Sequence, residues 1–412
     1  MSAHRDRWVV LAVSTAVNAL AWGARGSFAL FYVAMLEEFA WSRGATALGY
    51  SLSWLCFVVF APVAGWLHDR WGARAIVALG GLLLGGALAL TARVTSLGEY
   101  YLCFGVLGAA GTACILIPST TIVSRSFVRA RGTAMGVLSA ATPGGAVAFY
   151  PVNAWLIATL GWRSAFVGFA CIVGVITVSL ALLYRGVRTD SGHALDSTTR
   201  SAAESVGGIW TLRRALGSIR LWAAFAMTGF GVVGYQIMAT HQVAHAVDRG
   251  FRQADVVWLF TFGATSMMAG NLLGGWLSDR FGRGWVFAAG SIVAMSGIGC
   301  LAFLNGPEGW PLLVLYTASG FGFGMRIAQL AAIPADAFAG PHLGAILGVV
   351  QAGGGLGGAI GPFLGGWLFD LTGNYRIAFT AAALAVGGSA VAAWVAARKP
   401  SAHGRKALEP AA

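Results

Sequence analysis

Apolar residues in this chain come in long unbroken runs, and polar residues gather in short clusters between them. The runs predict twelve helices, at about 8–36, 43–67, 74–93, 99–125, 131–160, 164–185, 219–246, 253–277, 285–305, 311–335, 343–370 and 376–397. Each is near the roughly 20 residues that a helix needs to cross a bilayer. None alternates with period two, so strands are not expected. Such runs recur to the end of the chain, which argues against a cleaved secretory segment. Residues 186–217 form the one long hydrophilic stretch inside the chain, with Asp190, Asp196, Ser197 and Glu204. The pattern implies an all-α membrane protein of two six-helix bundles. Residues 1–185 and 218–398 are the bundles, 186–217 a linker and 399–412 a tail.

Composition sharpens this. Of 412 residues, 57% are hydrophobic and 10% charged, against about 25% charged in a soluble domain. Too few charges remain for a water-facing surface, so lipid is the solvent. The net charge of +12 does not point to nucleic acid, because the basic residues fall in short loops. With the N-terminus inside, 19 arginines and lysines lie on the cytoplasmic side and 6 on the outer side. This positive-inside bias predicts a multi-pass protein of a bacterial inner membrane with both termini cytoplasmic. The five cysteines lie within apolar runs without metal spacing and are read as packed thiols. The 59 glycines suit closely packed membrane helices.

The halves repeat. Gly65-x-x-x-Asp69-Arg70-x-Gly72-x-Arg74 returns as Gly275-x-x-x-Asp279-Arg280-x-Gly282-Arg283, offset by 210. Gly132, Gly136 and Pro151 return as Gly344, Gly348 and Pro362, and Gly161-Trp162-Arg163 aligns with Gly373 to Arg376. Parallel repeats around a midplane site define one large transporter architecture.

The two loops Gly65–Arg74 and Gly275–Arg283 resemble the signature of the major facilitator superfamily. A narrower resemblance is to its monocarboxylate-porter family, which includes proton-linked lactate and pyruvate carriers and bacterial oxalate–formate exchangers. It rests on Arg25 to Tyr32, Glu38 to Arg43, Arg129-Ala-Arg131-Gly132, Gly161-Trp162-Arg163, and Phe369-Asp370 to Tyr375. The resemblance implies a gating role for Asp69, Arg70, Arg74, Asp279, Arg280 and Arg283. It also implies a substrate role for Arg25, because animal members carry a lysine at the matching position. The chain departs from the family in helix 8, where Leu259 to Asn271 lacks the family's aspartate and arginine. Helix 11 likewise lacks the lysine of the oxalate exchangers.

Charge inside the membrane locates the chemistry. Arg25 and Arg326 fall near mid-helix, where an uncompensated cation costs roughly 2.5–3.5 kcal/mol on insertion scales. Arg25 shares a helix face with Asn18 and Trp22, and Arg326 one with Tyr316, Phe323 and Gln329. No acidic residue lies at similar depth, so a bound anion can serve as counter-ion. The competing role is structural, each guanidinium donating to carbonyls freed by nearby glycines. Tyr235 and Tyr316 can donate to a carboxylate or pack as aromatic core. His241 and His245, four residues apart near the outer end, are candidates for proton coupling or simply polar residues at the rim. The glycine-rich helix 11 is read as a close-packing element that rocks during transport.

These features predict a functional monomer, surrounded by membrane lipid, that moves a small mono- or dicarboxylate by proton symport or anion exchange. The alternative is a drug or other small-molecule exporter of the same fold. That exporter commonly carries a membrane-embedded carboxylate, which is missing here. An enzyme is not indicated, for there is neither a His-Glu-x-x-His motif nor a phosphate loop. No cofactor and no metal are expected.

Overall fold

The computed structural model describes residues 2–127, 131–184, 210–338 and 343–397. Arg129, the body of the linker and the tail at 399–412 lie outside the described residues. Every regular element among the described residues is helical.

Nine helices among these residues are long and apolar enough to cross a membrane. Two of the nine are double. The helix Arg43–Thr91 turns a corner at Gly72 (φ 77°, ψ 166°), and Arg131–Ala181 at Gly161 (φ 76°, ψ 159°). This region of backbone space is essentially reserved for glycine, so these two residues set the corners. Their counterparts in the second half, Gly282 and Gly373, also have positive φ, 90° and 69°. The sequence repeat is therefore a repeat of backbone conformation.

With both corners resolved, and with the interrupted helix 310–337 included, the described residues form twelve spans. They are α1 (Arg7–Phe39), α2 (43–71), α3 (73–91), α4 (Leu97–Ser126), α5 (131–160) and α6 (162–181). The second half holds α7 (Ile219–Asp248), α8 (Gln253–Phe281), α9 (Arg283–Ala302), α10 (310–337), α11 (Leu343–Thr372) and α12 (Arg376–Ala397). The expected bounds hold to within a few residues.

Three irregularities were not foreseen. α1 is interrupted at Ser27 and α10 at Ser319, while α4 contains a π-helical stretch at Tyr101–Leu107. The outer surface is apolar, with Trp155, Trp258 and Trp285 exposed by 64, 67 and 66%. Large aromatic side chains in that position fit a lipid solvent and not water.

The glycines of α11 are divided between two neighbours. Gly353, Gly357, Gly361 and Gly365 face α7 within the same half. Gly355, Gly358 and Gly366 face α2 across the seam between halves. At Gly366 an added Cβ would lie 2.6 Å from the Arg43 backbone, and at Gly358 it would run into the Trp54 ring. Only a residue without a side chain permits this approach.

Candidate functional site

The halves are joined at one end. Arg43 begins α2, and its guanidinium donates to Asp248 at 2.9 Å and to the Tyr375 hydroxyl at 2.7 Å. The same guanidinium lies 4.0 Å from the centre of the Phe369 ring. Asp370, at the end of α11, accepts the backbone N–H groups of Arg43 and Gly44 at 2.9 and 2.7 Å. One carboxylate thus satisfies two of the four free donors at the start of α2. Ser51 adds a bond by accepting the Phe363 N–H at 3.0 Å. Among the described residues, no other hydrogen bond crosses between the halves.

Both histidines of α7 belong to this joined end. His241 Nε2–H donates to the Pro362 carbonyl at 2.9 Å, and His245 Nε2–H to the Leu301 carbonyl at 3.0 Å. A carbonyl can only accept, so each ring carries its proton on Nε2. That leaves His241 Nδ1 to accept from the Tyr375 hydroxyl at 3.3 Å. Both rings are buried, at 0 and 1% exposure. They are packed interior groups and not residues of an exposed rim.

The opposite end holds the repeated loops. There Asp69 pairs with Arg125 at 3.3 Å, and Arg283 pairs with Asp336. Each pair stays within its own half. Arg70 lies over Trp66 at 5.8 Å, and Arg74, Asp279 and Arg280 form no ion pair with the described residues.

Between the two ends lies a cavity of about 350 Å³, lined from both halves by α1, α2, α5, α7, α8 and α10. Arg25, Tyr235, Tyr316 and Arg326 all line it. Asn18 and Gln329 do not. Asn18 is buried within its own half, and Gln329 donates to the Gly274 carbonyl at 3.0 Å. His241 and His245 are also absent from the cavity wall.

The two arginines differ. Arg25 is 6% exposed, and its Nε and Nη2 have no acceptor among the described residues. Its guanidinium sits 4.5 Å from the centre of the Trp54 ring and 5.6 Å from that of Tyr50, with Trp22 at 5.9 Å. Aromatic faces stabilise a cation without neutralising it. Arg326 instead donates through Nη2 to Ser389 Oγ at 2.9 Å. Ser389 in turn donates to the Met227 carbonyl at 2.6 Å, so Arg326 ties α10 to α12 and α7. The structural donation expected of Arg326 exists, but its acceptor is a serine of α12 and not a glycine carbonyl of α10. Tyr316 also has protein partners, Gln242 and Met238. Among the described residues, no carboxylate lines the cavity.

Sequence reasoning missed the cage of Tyr50 and Trp54, because aromatic residues in an apolar run read as ordinary core. It quoted Asp370, Tyr375 and Arg43 without assigning them a contact. The signal was there, since each stands beside a repeated glycine or a helix boundary.

Twelve spans in two similar halves around a central cavity are the architecture of a membrane transporter. The family model of the Major Facilitator Superfamily matches residues 11–257 and 242–411. Mouse (Mus musculus) monocarboxylate transporter 11 is 30% identical over 393 residues, covering 90% of this chain and 83% of that protein. Rat (Rattus norvegicus) monocarboxylate transporter 13 is 27% identical over 395 residues, covering 93% and 87%. The fold is shared with a mutant of the nucleoside transporter NupG, at TM-score 0.73, 16% identity and coverage of 94% and 98%. It is also shared with a bacterial homologue of the lysosomal transporter Spinster in an inward-facing, unoccupied conformation, at TM-score 0.72, 15% identity and 95% coverage of both chains. The chain belongs to the Major Facilitator Superfamily and, within it, to the monocarboxylate-porter family.

Proposed function

We propose that this transporter is a secondary carrier of an organic anion, a mono- or dicarboxylate, working by alternating access. The observation that carries the reading is Arg25, a buried cation whose Nε and Nη2 lack an acceptor among the described residues, in a cavity without carboxylates. Leaving such a charge unpaired is costly, and a substrate carboxylate supplies the missing partner. Both nitrogens are covered in this state, so engagement requires the guanidinium to turn into the cavity it lines. The names of the mouse and rat relatives support the same substrate class.

The positive-inside bias makes the Arg43 end the outer one. On that assignment this is the outward-closed state, with residues 1–185 and 218–398 as the two moving bundles in a bacterial inner membrane. The linker 186–217 and both termini are then cytoplasmic. Asp69, Asp279 and their neighbouring arginines are candidates for the gate of the opposite state. The sequestered histidines suit a part in the outer seal better than proton relay. Proton symport then requires the proton to travel with the substrate, and anion exchange requires none.

Uptake of labelled carboxylates into proteoliposomes tests the reading. Saturable uptake that is inhibited by unlabelled acid and strongly reduced by Arg25→Gln is the expected result. Uptake of neutral drugs alone, with no carboxylate competing, would sink it in favour of an exporter.

A further inference from the structure

Resting on that reading of the cavity, we propose that the preferred substrate is a monocarboxylate with a bulky aromatic body. Short keto acids and dicarboxylates are the poorer ligands. The inference stands on charge, size and the chemistry of the wall.

A carboxylate bridges a guanidinium along one of two edges, Nε with Nη2 or Nη1 with Nη2. Nη2 belongs to both. In Arg326 one of the two Nη2 N–H groups is held by Ser389 Oγ at 2.9 Å, so one of its edges is taken. In Arg25 both Nε and Nη2 are without an acceptor. Arg25 is therefore the guanidinium with a whole Nε–Nη2 edge to give once it turns into the cavity, and Arg326 the one already engaged by a protein group. A second carboxylate would have to share Arg326 with the serine that ties α10 to α12.

Size gives the second argument. The cavity of about 350 Å³ has room for on the order of a dozen water-sized groups, at ~30 Å³ each. A three-carbon acid with about six heavy atoms leaves about half of that volume to water. An acid carrying an aromatic ring occupies a larger share of it.

The wall contributed by the C-terminal half fits that ring. Tyr235, Phe260, Met267 and Phe323 line it, with Tyr235 and Phe323 edge to face at 5.5 Å. Aromatic rings and a thioether pack well against another ring. The polar side chains nearby are mostly turned to their own backbone. Thr317 donates to Val314 and Ser319 to Tyr316, while Gln242 accepts from the Tyr316 hydroxyl. A many-hydroxylated body, such as a sugar acid, would leave its own polar groups unpaired there. Gln236 Nε2 and Thr240 Oγ1 remain without partners, enough for one polar substituent.

The test is calorimetric titration of the purified full chain with phenylacetate, indole-3-acetate, pyruvate, succinate and phenylacetamide. Phenylacetate and indole-3-acetate are expected to bind about ten- to a hundredfold more tightly than pyruvate or succinate, the range set by burying one ring. Phenylacetamide is expected to lose at least about tenfold for want of the charge. Phe260→Ala should weaken phenylacetate several-fold more than it weakens pyruvate. Pyruvate or succinate binding as tightly as phenylacetate would overturn this inference and leave the carboxylate carrier standing. Equal binding of amide and acid, or no binding of any acid, would overturn both.

Discussion

Asp370 of α11 accepts the backbone N–H of Gly44, the second residue of α2, at 2.7 Å across the boundary between the two halves. A helix cap is ordinarily a local device. On the alternating-access reading the cap and the helix it completes belong to bodies that separate, so breaking the cap would accompany opening.

Asp370→Ala should therefore favour the state open at the Arg43 end. Loss of a helix cap costs about 0.5–2 kcal/mol, a shift of roughly two- to thirtyfold in the equilibrium. Spin labels placed on the two halves at that end, in a background without the five cysteines, measure it. Unchanged distance distributions would mean that the cap is incidental.

Gly366→Ala should act the same way through volume instead of charge. The new Cβ would lie 2.6 Å from the Arg43 main chain, which cannot yield as a flexible side chain does. Gly299→Ala is the control, because nothing lies within 4 Å of its Cβ position. The control should be neutral or slightly stabilising through helix propensity. The same distance measurement separates the two variants.

Arg25→Gln should weaken carboxylate binding by about 10- to 150-fold, the range of one charge-assisted hydrogen bond of roughly 1.5–3 kcal/mol. Arg25→Lys should recover only part, since it keeps the charge but loses the planar fork. Full binding by the glutamine variant, measured by titration, would remove Arg25 from the site.

Ser389→Ala should lower the melting temperature of the purified protein. It strips a buried guanidinium of its hydrogen bond at 2.9 Å and should cost on the order of 1.5–3 kcal/mol. Ser389→Thr, which keeps the hydroxyl, should recover most of the loss. Stability that is indifferent to both would mean that Arg326 finds another acceptor.

Asp69→Asn should leave the stability of this state within about 1 kcal/mol, because its pair with Arg125 is largely exposed. Transport should nonetheless slow if the residue bridges the halves in the opposite state. Unchanged uptake and unchanged melting together would rule out a gating role.

The parts of this molecule that were legible in the sequence are those with a local cause. Twelve spans follow from apolar length. Gly72 and Gly282 were visible as a repeat because a corner at the same backbone geometry needs the same residue twice. Arg25 and Arg326 stood out because a cation at bilayer depth demands a reason. Their different duties did not, because Ser389 lies 63 residues from Arg326 and a serine in a membrane helix carries no mark of its partner. The join between the halves was hidden for the same reason. Arg43 meets Tyr375 across 332 residues and Asp248 across 205, and only the fold brings them together.

The two-sided glycine face of α11 has one more consequence. Gly353, Gly357, Gly361 and Gly365 lie against α7 within one half, whereas Gly355, Gly358 and Gly366 would lose their neighbour were α2 to depart in an alternating-access cycle. On that reading, what seals the entrance in one state would become its lining in the other. That lining is bare main chain, so a hydrated anion arriving from outside would travel past peptide groups before it reaches any side chain able to hold it.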